Sequence, residues 1–257
     1  MKGARRRAIA LGAMLLAAGC RHEVAAPPGP ADLLRAYPDH VASVDATQVV
    51  LRDGTRLPLS DGIHGKTPAE RILRPDLDDM FVQAYRPGRP GRPPAPDEDP
   101  GRARYEPFFD RVYGDCNRGE VAPRLRPVRW MPSRGGAILL FNSVNGAADR
   151  LEAVVRDLER LPRRMTRYLV PAAGTYSCRF IAGTRQRSMH AYGLAIDINL
   201  AHSDYWLWLG GEGTPYRNRI PFAIVRIFER HGFIWGGKWG HFDTMHFEYR
   251  PELLPRR

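Results

Sequence analysis

Two short stretches hold most of the side chains able to do chemistry. In SMHAYGLAIDIN, residues 188–199, His190 and Asp197 stand seven positions apart in a segment that is otherwise mostly small or apolar. In HFDTMHFEY, residues 241–249, His246 is accompanied by His241, Asp243 and Glu248. Two imidazoles and one carboxylate are a donor set for Zn²⁺, a borderline-soft ion that is bound tetrahedrally and, in catalytic sites, leaves its fourth position to water. Water on such an ion ionises near neutral pH. Hydrolysis also needs a base beside that water, and Asp243 and Glu248 are the candidates. His246 is the expected third ligand after His190 and Asp197; His241 is close enough in sequence to replace it or to line the pocket.

These side chains need a scaffold to bring them together. GLAIDINL is predicted as a strand on which Asp197 and Asn199 share one face while Ile196 and Ile198 enter the core. A turn at Gly193 returns His190 towards Asp197. MHFEY is predicted as a second strand, whose parity pairs Glu248 with His246 and turns Asp243 away, so Asp243 reaches the site only from the loop before the strand. Upstream, VVLRDGTRLPL reads as a hairpin around Asp53-Gly54, with both turn positions at positive φ. RPDLDDMFVQAY reads as a short helix presenting Leu77, Met80, Phe81 and Tyr85, and NGAADRLEAVVRDLERLP as an amphipathic helix with Leu151, Val154, Val155, Leu158 and Leu161 inward. PVRWM, AILLF, CRFIAG and FIWGG are strand candidates, and PFAIVRIFERHG is a helix between Pro221 and Gly232. Strands and helices mix without regular βαβ alternation, which predicts an α+β fold: a small antiparallel sheet with flanking helices, carrying a single zinc site.

The chain has 257 residues, and one large domain is expected. MKGARRR followed by AIALGAMLLAAG reads as an export signal over residues 1–19, too short to span a bilayer as a helix. Its end, LAAGC, resembles the lipobox of bacterial lipoproteins, which implies cleavage before Cys20 and lipidation of that cysteine. Arg21 stands where an Asp often marks retention in the inner membrane, so the periplasmic face of the outer membrane is the expected location. Residues 20–40 are expected to form a lipidated flexible tether, with order beginning near 41. Residues 41–257 are expected to form one domain carrying the candidate zinc site, divided into a hairpin and helix extension at 41–104 and a core with the site residues at 105–257. Within it RPGRPGRPPAPDEDPGRAR, residues 86–104, reads as an exposed loop.

Net charge supports an envelope setting. Losing residues 1–19 removes four cations and no acid, so the formal charge falls from +11 to +7 and the remainder stays basic. An exported basic chain meets anionic wall polymer and lipid, and nucleic acid is not an expected partner. Cys116 and Cys178 stand in a compartment where disulfides persist and are expected to pair. Among the aromatics, Trp235 is expected in the core, with Trp206 and Trp239 as cleft walls.

The pattern S-x-H-x-x-G-x-A-x-D, carried by Ser188, His190, Gly193, Ala195 and Asp197, is followed by D-x-x-H-F at Asp243, His246 and Phe247. Together they resemble the zinc D-alanyl-D-alanine carboxypeptidase family, which includes the vancomycin-resistance type of carboxypeptidase and phage L-alanyl-D-glutamate endopeptidases. The resemblance implies one Zn²⁺ per chain on His190, Asp197 and His246. It implies that the acid three residues before the last histidine, Asp243, is the general base, where many members carry Glu. It also implies an upstream arginine that binds or polarises substrate, for which Arg179 is the best match ahead of Arg185 and Arg187. Ser188 is expected to donate a hydrogen bond to substrate or to a ligand. The implied activity is D-alanyl-D-alanine carboxypeptidase on peptidoglycan stem peptides. The alternatives are an L-alanyl-D-glutamate-type endopeptidase and a non-catalytic wall-binding lipoprotein.

Overall fold

The computed structural model describes residues 26–181 and 183–255; the export signal, Cys20 and the first part of the tether lie outside them. In chain order the elements are α1 (Asp32–Ala36), β1 (Val41–Val44), β2 (Gln48–Leu51), β3 (Arg56–Pro58), α2 (Pro68–Leu73), α3 (Asp79–Val82) and α4 (Glu106–Tyr113). They continue with β4 (Leu125–Arg129), β5 (Ile138–Asn142), α5 (Ala147–Leu158), α6 (Thr166–Leu169), β6 (Ala195–Asp197), α7 (Phe222–Arg230), β7 (Phe233–Trp235) and β8 (His246–Tyr249). Three small antiparallel sheets result, ordered β1-β2-β3, β4-β5 and β6-β8-β7. The α+β expectation holds, with three sheets where one was expected. Among the described residues no helix is long and apolar enough to cross a membrane.

The sheet β6-β8-β7 is the one that matters for chemistry. Its back is apolar: Phe228 of α7 stacks on Phe247 of β8 with ring centroids 3.9 Å apart, and Phe233 and Trp235 of β7 join the same layer. α7 and α5 each turn a stripe of Leu, Ile, Val and Phe inward, as their helical spacing requires. With the back face sealed, polar side chains of β6 and β8 are confined to the front.

Several local expectations are corrected. Among the described residues of CRFIAG no strand forms: Thr184 N donates to Ile181 O, and Phe180 makes only an isolated bridge to Arg187. The helix in RPDLDDMFVQAY shrinks to α3, because the carboxylates of Asp76 and Asp79 each take the other's backbone N–H and compete with helical bonding. The loop between β2 and β3 spans four residues, and of Asp53 and Gly54 only the glycine has positive φ. Order begins before residue 41, since α1 buries Leu33 and Ala36 and packs on the C-terminal turn Pro251–Leu253. Helices α2, α4 and α6 carry no counterpart in the sequence reading.

The extension at 41–104 shares its core with the rest. Val49, Leu57 and Met80 belong to the same buried cluster as Phe108, Phe228 and Phe247. The 86–104 segment is also divided: residues 86–98 are mostly exposed, whereas Asp99, Pro100, Gly101, Ala103 and Arg104 are buried against the body. Cys116 and Cys178 are bonded, joining the turn after α4 to the stretch that carries Arg179.

Candidate active site

β6 and β8 pair antiparallel with Asp197 directly opposite His246 and Ala195 opposite Glu248. Directly opposed residues share a face of the sheet, with Cβ atoms about 5 Å apart, so this register alone delivers two of the expected ligands to one spot. The third comes from the tight turn Met189–Tyr192 that precedes β6. Ser188 caps this turn, its Oγ accepting from the His190 N–H, and Gly193 ends it with φ of +66°. A Cβ at Gly193 would stand 2.6 Å from Leu125, so both conformation and space require glycine there.

Neighbouring groups fix the tautomer of each histidine. His190 Nδ1 donates to the Thr175 carbonyl, which leaves the Nε2 lone pair facing Asp197. That carbonyl is in place because residues 173–174 run along the free edge of β6, where Ala173 N donates to Asp197 O and Asp197 N to Gly174 O. His246 Nε2 donates to Glu248 Oε2 at 2.9 Å, which leaves Nδ1 facing Asp197. Glu248 is fully buried, and Arg104 and Arg250 hold its carboxylate from the other side.

The three groups converge. Asp197 Oδ2 lies 3.1 Å from His190 Nε2 and Oδ1 lies 3.0 Å from His246 Nδ1, and the donor atoms of all three residues fall within 4.8 Å of one another. Ligands of a tetrahedral ion bound at about 2.0–2.1 Å sit roughly 3.3 Å apart, close to these separations. His190 Nε2 is buried and, despite its nearness to Asp197, makes no hydrogen bond. A buried ring nitrogen beside a carboxylate and without a hydrogen bond of its own fits a metal ligand. Electrostatics agree. Burial pushes the Asp197 carboxyl up, but its interactions with His190 and then His246 outweigh this and hold it far below the usual carboxylate range. Burial lowers His246, yet its bonds to Asp197 and Glu248 raise it to about 10. The surroundings favour positive charge, and a proton and a metal ion compete for the same nitrogen.

Asp243 lies in the loop before β8, clear of the parity that would turn it away. Its backbone N–H donates to Gly236 O at 3.0 Å, and it forms an isolated bridge with Tyr205. Its Oδ1 is sealed from solvent and has no hydrogen-bond partner. Burial and then repulsion from Asp197 raise this carboxyl to about 7, against the opposing pull of His246, Arg102 and Arg179. A carboxyl poised near neutrality beside a metal-type donor set is suited to accept and return a proton.

Triad, Asp243, Ser188 and Arg179 line one cleft of about 300 Å³, walled by Tyr205, Trp206, Trp208, Trp239 and His241. Arg179 is exposed and forms no ion pair with the described residues. Ser188 is buried and occupied in capping. Trp235 is in the core, while Trp206 and Trp239 stand at the cleft as expected. His241 does not join the triad; its Nδ1 donates to Asp99 at 2.6 Å and its ring meets Trp206 edge-on.

Two residues absent from the sequence reading belong here. Arg102 and Arg104 line the cleft, brought there by the buried end of the Pro-rich segment. Composition marks that segment as solvated, and no spacing connects residues 99–104 with 239–248, so nothing in the linear pattern pointed to them.

No curated protein and no solved structure matches this chain. The family model described as D-alanyl-D-alanine carboxypeptidase matches residues 182–249, about a quarter of the chain, a span that contains His190, Asp197, Asp243 and His246. The segment that carries the triad and Asp243 is thus similar to a family of zinc-dependent peptidases, which supports a peptidase acting on D-alanyl-D-alanine-type substrates.

Proposed function

We propose that this chain is a zinc-dependent D-alanyl-D-alanine carboxypeptidase that trims peptidoglycan stem peptides. The carrying observation is the convergence of His190, Asp197 and His246, with a buried His190 nitrogen that makes no hydrogen bond, beside a carboxyl at Asp243 whose Oδ1 is likewise without one. Zinc held by the three ligands would supply Lewis acidity, polarising the scissile carbonyl and making water acidic near neutral pH. Asp243 takes the proton from the attacking water and gives it to the departing amine. Burial and the nearby Asp197 carboxylate keep its affinity for that proton high. Arg179, which no carboxylate of the described residues pairs, meets the negative charge that develops on the carbonyl oxygen. Glu248, clamped by Arg104 and Arg250, keeps His246 in the tautomer that ligation needs.

Location belongs to the same proposal. Cleavage before Cys20 and its lipidation would hold the enzyme at the periplasmic face of the outer membrane, where its substrate lies. The test is mass spectrometry of muropeptides incubated with soluble, zinc-loaded protein. Loss of one terminal alanine is expected; scission deeper in the stem would instead identify an endopeptidase. Asp243→Ala should lower turnover by about 10²–10⁴-fold while bound zinc stays stoichiometric. Full turnover by that variant would remove Asp243 from its role.

A further inference from the structure

Three arginines reach the cleft, and they differ in how their N–H groups are used. Arg104 donates from Nε and Nη2 to the two carboxylate oxygens of the buried Glu248. Arg179 is exposed and unpaired among the described residues. Arg102 is held from behind: Nη1 donates to the buried Asp99 at 3.0 Å, and the guanidinium lies 5.8 Å from the centre of the Trp239 ring. Its Nε and Nη2 have no partner among the described residues. Asp99 is itself fixed by the backbone and ring N–H groups of His241, at 3.1 and 2.6 Å. A planar cation anchored on one arm, with its other donors open to a cleft, is a preorganised receptor for a carboxylate.

That end of the cleft is also closed. Trp239 Nε1 donates to Pro100 O at 2.8 Å and Gly240 N to Glu98 O at 2.7 Å. The strap of residues 95–104 lies so tightly on Gly240 that a Cβ there would stand 2.2 Å from Ala95 O. Trp206 and His241, with ring centroids 4.7 Å apart, separate the cleft from a smaller hollow in which Glu212 lies. Trp239 lies near both the triad and Arg102, its ring 5.6 Å from that of His246 and 5.8 Å from the Arg102 guanidinium. A leaving group of one residue laid along that ring would direct its terminal carboxylate towards Arg102.

We infer that Arg102 receives the free terminal carboxylate of the substrate, and that the 95–104 strap restricts the cleft to removal of a single C-terminal residue. This rests on the peptidase reading above and adds its specificity determinant. Arg179 then remains for the charge developing on the scissile carbonyl.

The test compares an acyl-D-alanyl-D-alanine peptide with its C-terminal amide, using zinc-loaded protein. The wild type should favour the free acid by about 10- to 100-fold in kcat/KM, as expected for loss of a charge-assisted hydrogen-bonded pair. Arg102→Gln should raise KM for the acid by a similar factor with a smaller effect on kcat, bring the acid-to-amide ratio close to one, and leave zinc content unchanged. Arg102→Lys, which keeps the charge without the fork, should give an intermediate ratio. Equal cleavage of acid and amide by the wild type would overturn the inference while leaving the peptidase intact, and it needs no variant to fold. An undiminished ratio in Arg102→Gln would overturn it too. Cleavage of neither peptide would end the peptidase reading and this inference with it.

Discussion

Two charged clusters in this protein gather carboxylates and nitrogen bases, and they end very differently. Beneath β3 and α2, Lys66 Nζ meets Asp61, Asp76 and Asp79 at 2.8, 3.2 and 2.7 Å. Arg71 adds a second cation to Asp79, and backbone N–H groups of Asp61, Asp76 and Asp79 take further carboxylate oxygens. Nothing in that cluster is left over. At the cleft no lysine or arginine bonds Asp197 among the described residues, His190 Nε2 makes no hydrogen bond, and Asp243 Oδ1 is likewise unmatched. Both regions concentrate charge, yet only one satisfies itself. Unmatched buried polar atoms are costly, and those of His190 and Asp243 belong to residues that line one cleft, where a group from outside can complete the set.

The contrast can be broken most forcefully at the triad. Asp197→Ala removes the central carboxylate, so zinc binding by metal analysis and turnover should be lost together; an active, zinc-loaded variant would show that the cluster is structural after all. The converse change is Lys66→Met, which strands three carboxylates. Stability should fall by about 1–3 kcal/mol in denaturant titration, less than for a fully buried ion pair because Asp61 is 36% exposed. Zinc content and kcat should not change, and a loss of either would mean that the two clusters communicate. The smallest effect concerns His241, which joins the strap to the cleft wall. Its bond to Asp99 raises its pKa above 6.5. Its contribution to stability is therefore complete below about 6.5 and fades as pH climbs through the raised value. The difference in Tm between wild type and His241→Asn should be greatest near pH 6 and shrink towards pH 9; a gap that widens with pH would refute the assignment.

How much was legible beforehand depended on whether local pattern or distant contact decided the outcome. The inward stripes of α5 and α7 followed from helical spacing, and both helices formed where that spacing placed them. The parity of GLAIDINL placed Ile196 and Ile198 in the core, and both are buried. It failed for Asn199, which lies past β6 and uses its side-chain amide on the carbonyls of Arg167 and Val170. CRFIAG had the composition of a strand without a neighbour to pair with. The 86–104 segment had the composition of a solvated loop, yet its last six residues supply the buried Asp99 and the arginines of the cleft. Proline and glycine content describes what a segment does alone and is silent about what packs over it.

By itself the sequence determined the donor set and its candidates: His190, Asp197, Asp243 and His246 are chemically distinctive, and a turn glycine and strand parity constrain where such side chains can point. Only the tertiary structure decided which atoms meet. The opposition of Asp197 to His246 is a matter of strand register between segments about fifty residues apart. The release of Asp243 from strand parity depends on where β8 begins, and Arg102 reaches the cleft because a strap far away in sequence is pressed onto Gly240. Local preferences act over a few residues, whereas register and loop docking minimise the free energy of the whole packed chain, and the geometry of the cleft is set at that level.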